Sequence, residues 1–212
     1  MNSKFKGLVL SALFAALISA GSFLIIPLPG GIPIVLQDMM SMLSGLILGP
    51  VYGAIAVAVF LLLGSMGLPV FSGKAGFHIL TSHPTCGFLY GYFLAALVSG
   101  LLLHILLNKN KEHSNLKQYI LISIAALIAT IICFTMGIIG FTHITHKTVA
   151  ESIPLVVLPF IPGNTIKLIL MVPLTKKFRK TVQLLNESNR NQKCNKDFSR
   201  QNNCTGRCKF FH

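Results

Sequence analysis

The sequence predicts an all-α integral membrane protein, a six-transmembrane-helix bundle with both termini cytoplasmic. Three observations carry this. Of 212 residues, 53% are apolar and only 11% charged, where a soluble domain carries about 25% charged residues. Apolar windows recur near residues 7–27, 34–49, 51–67, 85–107, 118–141 and 152–174, which is the pattern of a polytopic chain. The basic residues gather at the ends of these windows in a way that places their clusters on one side of a six-span arrangement.

The first window follows Met1-Asn2-Ser3-Lys4-Phe5-Lys6 and mimics a signal peptide. It lacks a clear small-residue cleavage site and is followed by further spans, so it is read as a retained helix. Ala12, Ala16 and Ala20 stand four apart on one of its faces. Such a small-residue stripe lets another helix approach closely, from within the bundle or from a partner.

The second and third windows are short and separated by Gly49-Pro50. At 1.5 Å per residue they reach about 24 Å, less than a bilayer core. They must tilt, thin the membrane or sit partly inside protein. At the start of the second helix, Gln37 is a candidate ligand contact or an interhelical donor, and Asp38 has Lys74 and Lys167 as alternative partners. Between the third and fourth windows the chain reads GSMGLPVFSGKAGFHILTSHPTCGFLYGY over residues 64–92. It is rich in Gly, Pro, His and aromatics, and it carries Lys74, His78, Thr81, His83 and Thr85. A long structured loop costs ordering entropy and usually binds something.

The sixth window opens as LPFIPGNTIKLIL. Pro162-Gly163 forms a turn, Asn164 is a good N-cap, and Lys167 then falls at N3. A cation there opposes the helix macrodipole, and a lysine within a span is costly and usually functional. Snorkelling to the interface is the competing explanation. Asn164 and Lys167 share a face and together offer an amide acceptor, amide donors and an ammonium, a set that suits a small polar ligand.

Lys4 and Lys6, then Lys109, Lys111 and Lys117, then Lys176, Lys177, Arg179 and Lys180 all fall on one side if there are six spans, against Lys74 and Lys147 on the other. That side is cytoplasmic, and the 64–85 loop is extracellular. The net charge of +13 is therefore a topology signal rather than a nucleic-acid footprint. Residues 1–178 form the membrane domain; residues 179–212 form a polar, disordered cytoplasmic tail.

No GxxxxGK[ST] loop occurs, so ATP is not hydrolysed here by that route. His78, His83, His143 and His146 lack zinc spacing, and the tail's Cys194, Cys204, Cys208 and His212 match no metal motif. No metal site is expected. Cys86 and Cys133 read as small packing residues.

The motifs ALFAALISAGSF, IPLPGGIPIVLQ, LLGSMGLPVFSGKAG, HPTCGFLYGYFLAA and LPFIPGNTIK, spread over residues 7–175, resemble the BioY family, the biotin-specific S-components of energy-coupling factor (ECF) transporters. The resemblance implies a six-helix bundle in a bacterial plasma membrane that is not an enzyme, holds no cofactor and binds biotin near its extracellular face. It implies partners too: a transmembrane coupling (T) subunit, docked through the stripe of Ala12, Ala16 and Ala20, and two cytoplasmic ATPases. Asn164 and Lys167 would then address polar ends of the vitamin, with Gln37 beside them. Phe71, Phe77 and Tyr90 would pack on its rings, and Lys74, His78 and Thr85 would cover the site or meet the carboxylate. The chain departs from the family pattern in having Asn164 where Asp is usual, His83 and Cys86 in place of glycines, Phe88 in place of Tyr, and a Cys-bearing tail. Other readings stay open: an S-component for another small heterocyclic vitamin, an integral-membrane enzyme with a His-rich extracellular site, or a scaffold without a ligand.

Overall fold

The computed structural model describes residues 3–26, 34–108, 115–157, 160–161 and 163–179. Most of the chain falls in one compact unit, Met1–Lys176; of a second unit, Lys177–His212, only residues 177–179 are described. The expected tail beyond Arg179, with Cys194, Cys204, Cys208 and His212, lies outside the described residues, as do Lys109, Lys111 and Pro162.

The described structure is mostly helical. In order come α1 (Ser3–Gly21), a minimal hairpin of β1 (Ile25–Ile26) and β2 (Ile34–Val35), α2 (Gln37–Leu48), α3 (Pro50–Ser65), α4 (Phe77–Ser82), α5 (Cys86–Asn108), α6 (Asn115–Thr145) and α7 (Val149–Val156). A last helical run covers residues 163–179. Two helical stretches, Cys86–Leu106 and Leu116–Thr145, are long and apolar enough to cross a membrane by themselves. The shorter apolar helices include Phe5–Gly21 and Pro50–Ser65.

The 12-residue α2 is about 18 Å long. Nine of its residues are buried, so it lies inside the protein, wrapped by α1, α3 and α5. Its serines carry no orphan polar groups into that interior: Ser41 Oγ donates to the Asp38 carbonyl, and Ser44 Oγ donates to Ser41 at 2.7 Å. The principal pairing is α5 against α6. Gly87 and Gly140 face each other at that crossing, and a methyl on Gly87 would overlap the Met136 carbonyl. Small residues at a helix crossing bring the backbones together.

The expected span over 152–174 is corrected. The chain first forms α7, fixed by a capping box in which Thr148 and Glu151 satisfy each other's backbone N–H groups, and then turns at Val157. Pro159 and Pro162 have no N–H to sustain a helix ladder. Gly163 already belongs to the last helix, and the Thr165 hydroxyl donates to the Ile161 carbonyl at 2.8 Å. Asn164 therefore lies within the first turn rather than ahead of it. The long 64–85 segment is also more ordered than a loop, since it contains α4 and a bridge between Phe71 and Lys74.

Candidate functional site

A cavity of about 160 Å³ opens among α2, the 70–85 segment, α5, α6 and the start of the last helix. Its walls are built by short sequence devices. Phe71 and Lys74 exchange two backbone hydrogen bonds of 3.0 Å across Ser72-Gly73. Both turn residues have positive φ, 53° and 78°, as a tight two-residue hairpin turn requires. The turn holds Phe71 and Lys74 side by side at the cavity. Phe71 is seated by Gly64, where a methyl would overlap its ring, and by an edge-on contact with Phe60 at 5.4 Å.

An aromatic wall comes from three elements. Phe88 of α5, Phe134 of α6 and Phe160 lie 6.0–6.4 Å apart, Phe88 and Phe160 stacked and Phe134 edge-on to both. Such pairs favour flat apolar groups beyond simple area burial. Gly137 leaves the space Phe88 occupies.

Two polar clusters complete the lining. In the first, Lys167 is only 8% exposed. Its ammonium donates to the Val35 carbonyl at 2.6 Å and to Asp38 Oδ1 at 2.8 Å. This settles the partner of Asp38. The same Oδ1 also accepts the Met39 backbone N–H at 2.7 Å. Gln37, 1% exposed, Tyr92 and Asn164 line the cavity with Asp38, and their side chains make no hydrogen bond among the described residues. A buried polar group without a partner is costly, and here these groups surround an open space of ligand dimensions.

The second cluster is at the surface. Lys74 Nζ contacts His83 Nε2 at 2.7 Å, and His83 Nδ1 contacts Thr85 Oγ1 at 2.8 Å. An ammonium has only donors, so Nε2 is the acceptor, Nδ1 carries the proton, and the imidazole is neutral. The longer approach of the Thr85 N–H to Nδ1, 3.3 Å, suits the opposite tautomer and yields to the two shorter contacts. Burial first, then the charges of Lys74 and His78, hold the His83 imidazole below the ordinary histidine range.

Of the residues singled out in the sequence, Gln37, Phe71, Lys74, Thr85 and Asn164 line the cavity. Lys167 does not line it and stands behind Asp38. Phe77 is 65% exposed and Tyr90 45%; neither reaches the cavity, nor does exposed His78. The reasons are geometric. The short helix α4 buries Ile79 and Leu80 instead, and Tyr90 is two residues from Phe88, about 200° around the helix. Ala12, Ala16 and Ala20 all lie on the exposed face of α1, opposite buried Phe14, Ala15 and Ile18. Sequence reasoning missed Asp38, Tyr92, Thr130, Phe134 and Phe160 as lining residues. Among the described residues no group of three His, Cys, Asp or Glu side chains comes together to hold a metal.

Fold and cavity together define a helical membrane protein with a cavity that suits one small ligand, apolar along one wall and polar at its ends. The chain belongs to the BioY family, whose model matches residues 1–184. It is 33% identical to the biotin transporter BioY of Thermotoga maritima over 176 residues, 82% of this chain and 96% of that protein. It is 38% identical to the biotin transporter BioY of Rhizobium etli over 174 residues, 76% and 87% of the two chains. A crystal structure of the S-component for biotin from an ECF-type ABC transporter superposes with a TM-score of 0.73 at 32% identity, covering 85% of this chain and 95% of that one.

Proposed function

We propose that this chain is the substrate-binding membrane subunit of a biotin-uptake system, capturing biotin at the extracellular face for an ATP-driven coupling module. The observation that carries the reading is the cavity itself: an aromatic wall beside amide and phenol groups that make no hydrogen bond among the described residues, and beside the Lys167-paired carboxylate of Asp38. A fused cyclic urea with an apolar body and a carboxylate tail matches that set. The phenylalanine wall takes the ring body. The amides of Gln37 and Asn164 meet the ureido group. Lys74, with His83 and Thr85, meets the carboxylate. Phe77, His78 and Tyr90 are left without ligand contact.

In this reading α1, α2, α3, α5, α6 and the last helix are the six membrane segments in a bacterial plasma membrane, with both termini cytoplasmic and the 64–85 segment outside. The T subunit docks on the Ala12, Ala16 and Ala20 face, and the paired ATPases supply the nucleotide chemistry, so the chain needs no cofactor or metal of its own. An integral-membrane enzyme with a His-rich site is set aside, because the relatives are transporters.

Equilibrium binding of labelled biotin to the detergent-purified chain, with other vitamins as competitors, tests the proposal. Tight binding displaced only by biotin is expected. A folded, monodisperse sample that binds no biotin would overturn the substrate and leave the fold standing.

A further inference from the structure

The biotin reading leaves open which charged group meets the ureido head, and Lys167 looks like the obvious candidate from its place in the first turn of the last helix. The geometry points instead to Asp38: we infer that Asp38 is the ionic acceptor for the ligand's ureido N–H, and that Lys167 is a positioning residue which acts through it. The inference rests on the reading of the cavity as a biotin site.

Three observations support it. Asp38 lines the cavity and Lys167 does not, so the carboxylate stands between the ammonium and the space. Lys167 spends its ammonium on fixed protein acceptors, the Val35 carbonyl and Asp38 Oδ1, at 2.6 and 2.8 Å. Asp38 Oδ1 in turn receives two donors, Lys167 and the Met39 N–H, whereas Oδ2 has none among the described residues. An ionised carboxylate accepts at both oxygens, so a strong acceptor is left for the ligand. Its charge is compensated from behind, which is what makes a nearly buried carboxylate tolerable. Gln37, its neighbour at the start of α2, has an unused amide that can donate to the ureido oxygen while Asp38 accepts from the flanking N–H. The pair reads both polarities of a cyclic urea, and a charged acceptor is the stronger half of it.

Iminobiotin, in which a guanidinium replaces the ureido group at neutral pH, separates the two assignments by sign. Its affinity relative to biotin is measured in the wild-type chain, in Lys167→Met, and in the double variant Asp38→Asn/Lys167→Met. The double variant removes both charges together, so no buried charge is left unpaired if a single variant fails to fold. With Asp38 at the ligand, the double variant loses about tenfold in the iminobiotin-to-biotin ratio, and Lys167→Met alone shifts the ratio towards iminobiotin. A ratio in the double variant equal to or more favourable than wild type overturns the assignment of Asp38. Failure of the folded wild-type chain to bind biotin overturns the parent reading instead, and the two failures are distinguishable.

Discussion

Two lysines serve the cavity, Lys167 from behind its wall and Lys74 at its rim, and they play opposite parts. Lys167 is buried and bonded to a carboxylate at 2.8 Å. Lys74 is exposed and bonded to a neutral imidazole at 2.7 Å. Breaking a buried ion pair strands a charge in a poorly polarisable interior, while breaking a surface contact returns both groups to water. The first lysine therefore belongs to the architecture of the site and the second to its rim. The contrast teaches that proximity to a ligand and importance to the fold can run in opposite directions within one cavity.

The comparison breaks most visibly at Lys167. Replacing it with Ala leaves Asp38 unpaired and is expected to cost about 3–5 kcal/mol of stability, read as a large fall in unfolding temperature, with at least tenfold weaker biotin binding. Unchanged thermal stability would mean that the pair does not hold the site together. The next effect separates binding from folding. Gln37→Leu removes a buried amide that has no protein partner, so stability should hold or rise by about 1 kcal/mol. Biotin affinity should fall about tenfold for the lost hydrogen bond. A variant that unfolds early would show that Gln37 serves the core.

How much of this could be read from the sequence follows from the kind of signal each residue gives. Gln37, Lys74 and Asn164 stand out because they are polar residues in apolar surroundings, and Lys167 because a cation so placed needs an explanation. Asp38 was visible, but its partner lies 129 positions away, and no local rule selects between two lysines. Thr130, Cys133 and Phe134 share a face of α6 at spacings of three and four, yet a membrane helix is apolar on all sides and its pattern does not mark which side faces a cavity. Tyr90 stands out as an aromatic of this segment, but the helix rotation turns Phe88, two residues earlier, to the cavity instead. The missed helix α7 did have signals: Thr148-x-x-Glu151 is a capping box just ahead of the apolar window, and Pro159 and Pro162 follow its end.

At the rim, smaller effects are expected. Lys74→Ala should change stability by no more than about 1 kcal/mol and weaken biotin a few-fold, through the loss of a solvent-screened charge. The same substitution should leave the affinity for biotin amide, which lacks the carboxylate charge, nearly unaltered. An equal loss for both ligands would remove Lys74 from carboxylate recognition.

The smallest effect is a pH dependence of the rim itself. Because the folded state holds His83 below its ordinary value of about 6.5, the native rim binds fewer protons than the unfolded chain as pH falls through that range, and its stability falls with it. The sign is fixed by the contact: a neutral Nε2 accepts from Lys74, and protonation turns the pair into two facing cations, with His78 adding to the repulsion. Hydrogen-exchange protection of residues 71–85 should therefore be full above about pH 6.5 and decline as pH drops through the folded value, while the α5 and α6 amides stay protected. His83→Gln keeps a side-chain acceptor for Lys74 but cannot titrate, so its rim should lose the pH step and keep the protection. If the step survives in that variant, the proton acts elsewhere, and the contrast between a buried lysine that cannot let go and a surface one that can would need another physical basis.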